Sequence, residues 1–300
     1  MALYEGPIVD AHHHLWRFDP QTYPWLAGPG REMLARDALP ARYRAALAPH
    51  RPVATVWIEA LATDPEAEAA SAQAWVDADP TICTAIVAGG PLDAPDVEAR
   101  LDRLAEAAPN LRGIRDIVSW RPGRPSFARR GDLLADPAFE RGLRALARRD
   151  LVFDLMALPH QLAEAARLLA RVPGLSVAVE HAGSPEDRSA EGYAAWRAGM
   201  ADLAALDRSV VKLSALQAVH PPGDVDGIAR TIDSLADLFG PNRMAIGTDF
   251  PVHDRHCPAA DAVDVFRRHV AAASPTEQKA LFHDTACRTY RIDGAARPTS

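Results

Sequence analysis

Apolar residues recur along this chain in short runs, each followed by a stretch where they return every three or four positions. Runs of the first kind read as buried strands and stretches of the second kind as amphipathic helices. The candidate strands are 8–14, 54–60, 82–89, 111–118, 151–157, 175–181, 210–216 and 243–249. The helical stretches are 66–78, 97–107, 138–149, 161–171, 193–206, 225–239 and 260–273. Asp64-Pro65 and Asp136-Pro137 place proline at the first helical position, where its missing N–H costs nothing. Ser274-Pro275-Thr276-Glu277 has capping-box spacing and opens a last helix that runs to about Tyr290.

Eight strand–helix alternations predict a closed (β/α)8 TIM barrel in one domain, residues 1–292, with 293–300 as a frayed tail. An open doubly wound sheet would carry a glycine-rich turn after its first strand. Three histidines stand there instead. The long connection after the first strand holds Tyr23-Pro24-Trp25-Leu26 and is expected to fold over the barrel mouth. No repeat, low-complexity tract or linker divides the chain.

The chain has 300 residues, 48% hydrophobic and 24% charged, with a net charge of −7. That balance gives no reason to expect nucleic acid or an anionic membrane as partner. The 3 cysteines, Cys83, Cys257 and Cys287, are odd in number and far apart, which suits a reducing, cytoplasmic setting. No signal-like start or membrane-length apolar run is present. One chain carries no readable interface, so the oligomeric state is left open.

Polar residues within such strands need a reason, because both faces of a barrel strand are covered. Asp10, His12 and His14 alternate along the first strand, so strand parity puts all three on one face. His13 points the other way. Glu59, Arg115, Asp154, His181 and Asp249 lie in or end later strands, and Lys212 shares a parity with Ser214. At the C-terminal mouth of a barrel these groups could transfer protons or bind a metal. Asp249, His181, His12 and His14 are the expected catalytic residues. His12, His14 and Asp249 would be ligands to one divalent ion, with zinc foremost, although histidines acting directly as hydrogen-bond donors would also work. Arg115, Lys212, Trp25, Glu59, Asp154 and His160 are the expected substrate-binding set. Arg115 and Lys212 have a competing role, neutralising Glu59 and Asp154. Glu180, next to His181, is expected to point away. His220, His253 and His256 are expected mostly at the surface.

The segments IVDAHHHLW (8–16), YPWL (23–26), LRGIRD (111–116), FDLMALPHQL (153–162), VEHAGSP (179–185), VKLSAL (211–216) and IGTDFPV (246–252) together resemble the amidohydrolase superfamily. The resemblance is to its branch of sugar-lactone lactonases and pyrone-dicarboxylate lactonase. It implies hydrolysis of an ester within a ring, on a small lactone or carboxylic acid substrate, with His12 and His14, His181 and Asp249 in the family's first-, sixth- and eighth-strand positions. Members differ in metal use. Asp116 stands where histidine is common, and Ala182 and Ser184 replace the commoner Leu and Lys or Arg. The alternative activity is metal-dependent decarboxylation of an aromatic or muconate-like acid, and the non-enzymatic alternative is a binding protein on a decayed barrel.

Overall fold

In the computed structural model, which describes residues 3–293, the apolar runs form eight strands. They are β1 (Val9–His13), β2 (Ala54–Ile58), β3 (Ala85–Gly89), β4 (Leu111–Arg115), β5 (Val152–Leu155), β6 (Val177–Val179), β7 (Ser209–Leu213) and β8 (Met244–Ile246). All pair in parallel, in chain order. Beyond β8 the backbone turns back onto β1: Asp249 N donates to His12 O at 2.8 Å and His14 N to Phe250 O at 2.7 Å. These bonds close the barrel and bring Asp249 beside the first-strand histidines. Gly247 permits the approach, since a Cβ there would lie 2.6 Å from His12 Cβ.

All the observed strands except β3 end earlier than the sequence pattern suggests. Burial continues through residues such as Ile117, Val118 and Ala157 after ladder pairing has stopped. Helices Pro65–Ala78, Val97–Ala107, Pro137–Arg148, Leu162–Leu169, Ala190–Ala204, Val225–Phe239 and Ala259–His269 follow β2 to β8 and form the outer ring. Their starts use the caps the sequence offers. The Asp64 carboxylate accepts from Glu66 N and Ala67 N at 3.1 and 3.0 Å, and Asp136 accepts from Ala138 N at 2.7 Å. Such caps stabilise a helix by about 1 kcal/mol each. Ser274 and Glu277 cap each other's backbone at 3.3 and 2.8 Å.

The inside of the barrel is packed by small and branched residues, among them Val9, Ala11, Val56, Val87, Val152 and Ala178. Tyr290, from the C-terminal helical segment, joins them. A larger core, with Trp57, Phe139, Leu143, Phe153 and Trp196, fills the space between sheet and helices. Among the described residues no helix is long and apolar enough to cross a membrane. Apart from Asp293, the tail expected to fray lies outside the described residues.

Candidate active site

Strand β1 does not keep a strict two-residue parity. Val9 and Asp10 pair with Ala54 and Thr55, but His13 pairs with Trp57, so a bulge adds one residue between Asp10 and His13. The bulge turns Asp10 away from His12 and His14. Asp10 and His13 both meet Tyr43 on the outer side: Tyr43 Oη donates to Asp10 at 2.8 Å, and the His13 and Tyr43 rings lie 4.6 Å apart. This corrects the expectation that Asp10 joins the histidine cluster. Asp10 instead accepts from Thr248 N and Oγ1 at 2.9 and 2.6 Å, holding the turn that presents Asp249.

His12 and His14 face inward and meet Asp249. His12 Nε2 lies 3.4 Å from Asp249 Oδ1, His14 Nε2 lies 3.3 Å from the same oxygen, and the two nitrogens are 3.3 Å apart. Four bonds of about 2.0–2.1 Å in a tetrahedron put neighbouring donor atoms roughly 3.3–3.4 Å apart, so the triangle has the dimensions of three ligands around one zinc. The tautomers agree. His14 Nδ1 lies 2.9 Å from the Ile58 carbonyl, which can only accept, so Nδ1 carries the proton and Nε2 offers a lone pair. His12 Nδ1 faces the Glu180 carboxylate at 3.4 Å. Two lone pairs and a carboxylate oxygen converging this closely repel one another unless a cation or a proton sits among them. The three residues therefore fit a divalent ion.

His181 completes the cluster from the end of β6. Its ring centroid is 4.7 Å from that of His12, and its Nδ1 lies 2.9 Å from Ser214 Oγ. The backbone from His181 to Ser184 is left-handed throughout, with φ of 51, 55, 65 and 53°. Asp249 has φ 52°. Non-glycine residues in this region carry a conformational cost, which is characteristic of functional sites.

The same turn overturns the expectation for Glu180. Strand alternation ends at Val179, and the reversal at His181 swings both side chains to the interior. Glu180 is buried and receives Arg115 Nη1 at 3.2 Å. Arg115 also donates through Nε to Glu59 Oε1 at 2.6 Å and through Nη2 to Glu59 O at 2.7 Å. Lys212 reaches Asp154, which Tyr290 Oη binds at 2.8 and 3.0 Å. Lys212, Asp154 and Glu59 do not line the cavity that holds the histidines, whereas Arg115 does. His160 is exposed and outside it. His220 and His253 are buried, against expectation: His253 Nε2 meets Gln217 at 2.8 Å, and His220 lies between Asp224 and Thr231. Asp116, at the position where histidine is common, binds Leu92 N and Arg129 Nη2, both at 2.8 Å.

Burial pushes Asp249 upward, whereas a proton held on the His12 or His14 nitrogen facing it, with the charge of His181, outweighs burial and holds the carboxyl well below its ordinary value. Burial pushes His12 well below the usual histidine range against the opposing charge of Glu180. His181 is lowered for the same reason, with Asp249 and Glu180 opposing. Burial also resists ionisation of Glu180, yet the charge of Arg115 and the nearby His12 bring it below its ordinary value.

Behind this network, Glu68 accepts from Ala60 N at 2.8 Å. Burial, and then the charge of Glu59, push its carboxyl from 4.5 to about 8. Between those values the unfolded chain releases a proton that the folded chain keeps, so stability falls as pH rises. Glu68→Gln keeps the acceptor and removes the titration. The variant's melting temperature relative to wild type should climb from pH 5 to pH 8, followed by thermal denaturation; a constant offset would contradict the assignment.

The mouth opens into a cavity of about 180 Å³ lined by His14, His181, Asp249, Arg115 and Trp25 among others. Trp25, on the turn Pro24–Ala27, donates Nε1 to Ala60 O at 2.6 Å and packs edge-on to Trp16 and Phe127.

Comparison with known proteins agrees with this architecture. The amidohydrolase family profile matches residues 9–292. An L-fucono-1,5-lactonase from Burkholderia multivorans is 31% identical over 300 residues, covering 95% of this chain and 96% of that protein. The crystal structure of an amidohydrolase from Burkholderia multivorans with bound zinc superposes with a TM-score of 0.84 at 27% identity, covering 95% of this chain and 99% of that one. Amidohydrolase 2 from Bifidobacterium longum subsp. infantis superposes with a TM-score of 0.70 at 27% identity, covering 97% and 100%.

Proposed function

The chain belongs to the amidohydrolase family, and we propose that it opens a lactone ring by adding water to the ring ester. The observation that carries this reading is the convergence of His12 and His14 on one oxygen of Asp249. The similarity to an L-fucono-1,5-lactonase over nearly the whole chain supports it.

The carbonyl carbon sits within reach of a water held at Asp249. Asp249 Oδ1 lies between the two histidines, and Oδ2 faces no hydrogen-bond donor among the described residues, so Oδ2 takes the water's proton as the C–O bond forms. With the Ser214 hydroxyl donating to His181 Nδ1, the proton of that ring is on Nε2, from where it donates to the developing oxyanion. Collapse of the tetrahedral species breaks the ring C–O bond. Asp249 then returns its proton to the departing alkoxide, leaving a hydroxy acid. A divalent ion held by His12, His14 and Asp249, zinc foremost, would supply Lewis acidity at the carbonyl or the water. The bound zinc of the Burkholderia multivorans amidohydrolase supports that choice. Arg115 and Trp25 line the space beside the ring.

A panel of sugar-acid lactones and carboxylated lactones, assayed by acid release with metal-stripped and zinc-reconstituted protein, tests the proposal. Lactone opening that zinc restores is the expected result. Release of CO2 from aromatic acids, with no lactone opened, would overturn it in favour of decarboxylation.

A further inference from the structure

Asp116 has no part in the chemistry above, yet it is buried just past the end of β4. It holds two groups at once. Its Oδ2 accepts from Leu92 N and from Arg129 Nη2, both at 2.8 Å, and Arg129 Nη2 also reaches Asp93 at 2.7 Å. The next residue, Arg130, donates to Asp93 at 2.9 Å and to Asp136. These ion pairs fasten the connection between β4 and the helix Pro137–Arg148 at its far end. At the near end Trp120 N donates to the Gln161 side chain at 3.1 Å. Phe127 is carried between the two fastenings.

The Phe127 side chain is 40% exposed but held in place. It packs edge-on to Trp25 at 5.6 Å, and the Arg31 guanidinium carbon lies 5.2 Å from its ring centre. The ring lines two spaces: the catalytic cavity of about 180 Å³, and a second chamber of about 140 Å³ at the ends of β2, β3 and β4. Leu61, Arg115 and Ile117 also line both. Arg115 and Ile117 are buried, and Leu61 is tied by its backbone N–H to Glu59 at 2.5 Å. Phe127 is therefore the shared wall with the least support from the barrel itself. The chamber differs from the cavity in chemistry. Glu59, Arg115, Asp116 and Arg129 line it, and their four charges cancel in two pairs, at 2.6 and 2.8 Å. Paired carboxylates and guanidinium groups keep spare lone pairs and N–H donors. A neutral hydroxylated group can use these without breaking either pair, whereas an apolar group would strip water from them at a cost.

We propose that Phe127 limits the size of the lactone, partitioning the catalytic cavity from the second chamber and so restricting the substrate to a single ring, and that Asp116 positions Phe127 through Arg129. The proposal takes the reaction from the hydrolytic reading above, but the partition itself does not depend on it. Truncating the Phe127 ring joins the two spaces and nearly doubles the volume open beside His14, His181 and Asp249. A neutral, hydroxylated second ring attached to the lactone then has both room and hydrogen-bond partners. Asp116→Asn keeps an acceptor for Leu92 N but removes the charge that holds Arg129, two residues beyond Phe127. The wall stays in the chain and loses its fastening.

The probes are glucono-1,5-lactone and cellobiono-1,5-lactone, one ring and the same ring carrying a neutral second one. Opening is followed by acid release above the spontaneous rate, and binding of the stable acids gluconate and cellobionate by calorimetry. Wild type should favour the single ring in kcat/KM, and Phe127→Ala should narrow that preference at least about tenfold. Phe127→Ala should also bind cellobionate more tightly than wild type does. Asp116→Asn should narrow the preference by a smaller factor; a variant that was merely destabilised would lose both lactones in proportion. A preference unchanged in Phe127→Ala, by turnover and by binding alike, would overturn the partition, as would a wild type that takes the larger lactone as readily as the smaller. A preference unchanged in Asp116→Asn would overturn its positioning role. Tighter cellobionate binding by Phe127→Ala, with no lactone opened by either protein, would uphold the partition and overturn the hydrolytic reading.

Discussion

Asp249→Asn should lower the turnover of an opened lactone by about 10²–10⁴-fold, the usual contribution of a positioned general base. The fold should survive. Asparagine tolerates the left-handed backbone that Asp249 adopts at φ 52°, and it preserves the side-chain volume in the triangle with His12 and His14. Two properties disappear together: the proton-accepting oxygen and the anionic member of the ligand set. Steady-state kinetics should therefore show the loss in kcat, and elemental analysis should show weaker zinc retention, while the thermal midpoint stays near that of wild type. Turnover within tenfold of wild type would remove Asp249 from the chemistry.

The second large effect is on stability. Arg115→Met should cost about 3–5 kcal/mol, because it strands two buried carboxylates that now share one guanidinium. Glu59 receives two of the arginine's bonds, one at its side chain and one at its carbonyl, and Glu180 receives a third. Neither carboxylate has solvent to fall back on. Adding Glu59→Gln should recover part of the loss, since one of the uncompensated charges is then gone. Denaturant unfolding of the single and double variants checks both statements. A cost below about 1 kcal/mol would mean that water or neighbouring groups already satisfy the acids.

The eight strands and their helices are carried by period and capping, which act locally, so the barrel and its parallel order followed from the pattern. His12, His14, His181 and Asp249 stood out because polar groups in doubly covered strands are costly, and the structure gathers all four into one cluster, of which His14, His181 and Asp249 line the cavity. Asp10 and Glu180 went the other way for related reasons. A bulge in β1 and a left-handed turn after β6 each break the two-residue alternation, and neither is marked by glycine at the residue concerned. The competing role of Arg115 and Lys212, neutralising Glu59 and Asp154, matches the ion pairs formed, the second of them across 58 positions. The buried His253 could have been suspected from its place in the turn after Asp249, where its backbone N–H donates to the Asp249 backbone carbonyl at 2.9 Å.

The central claim is that water, activated at the His12–His14–Asp249 triangle, attacks a ring carbonyl. Running the reaction in ¹⁸O-labelled water and locating the label by mass spectrometry tests this most directly. The account predicts one labelled oxygen in the carboxylate of the ring-opened product and none in its new hydroxyl. Label in the hydroxyl, or unlabelled product formed with release of CO2, would contradict it.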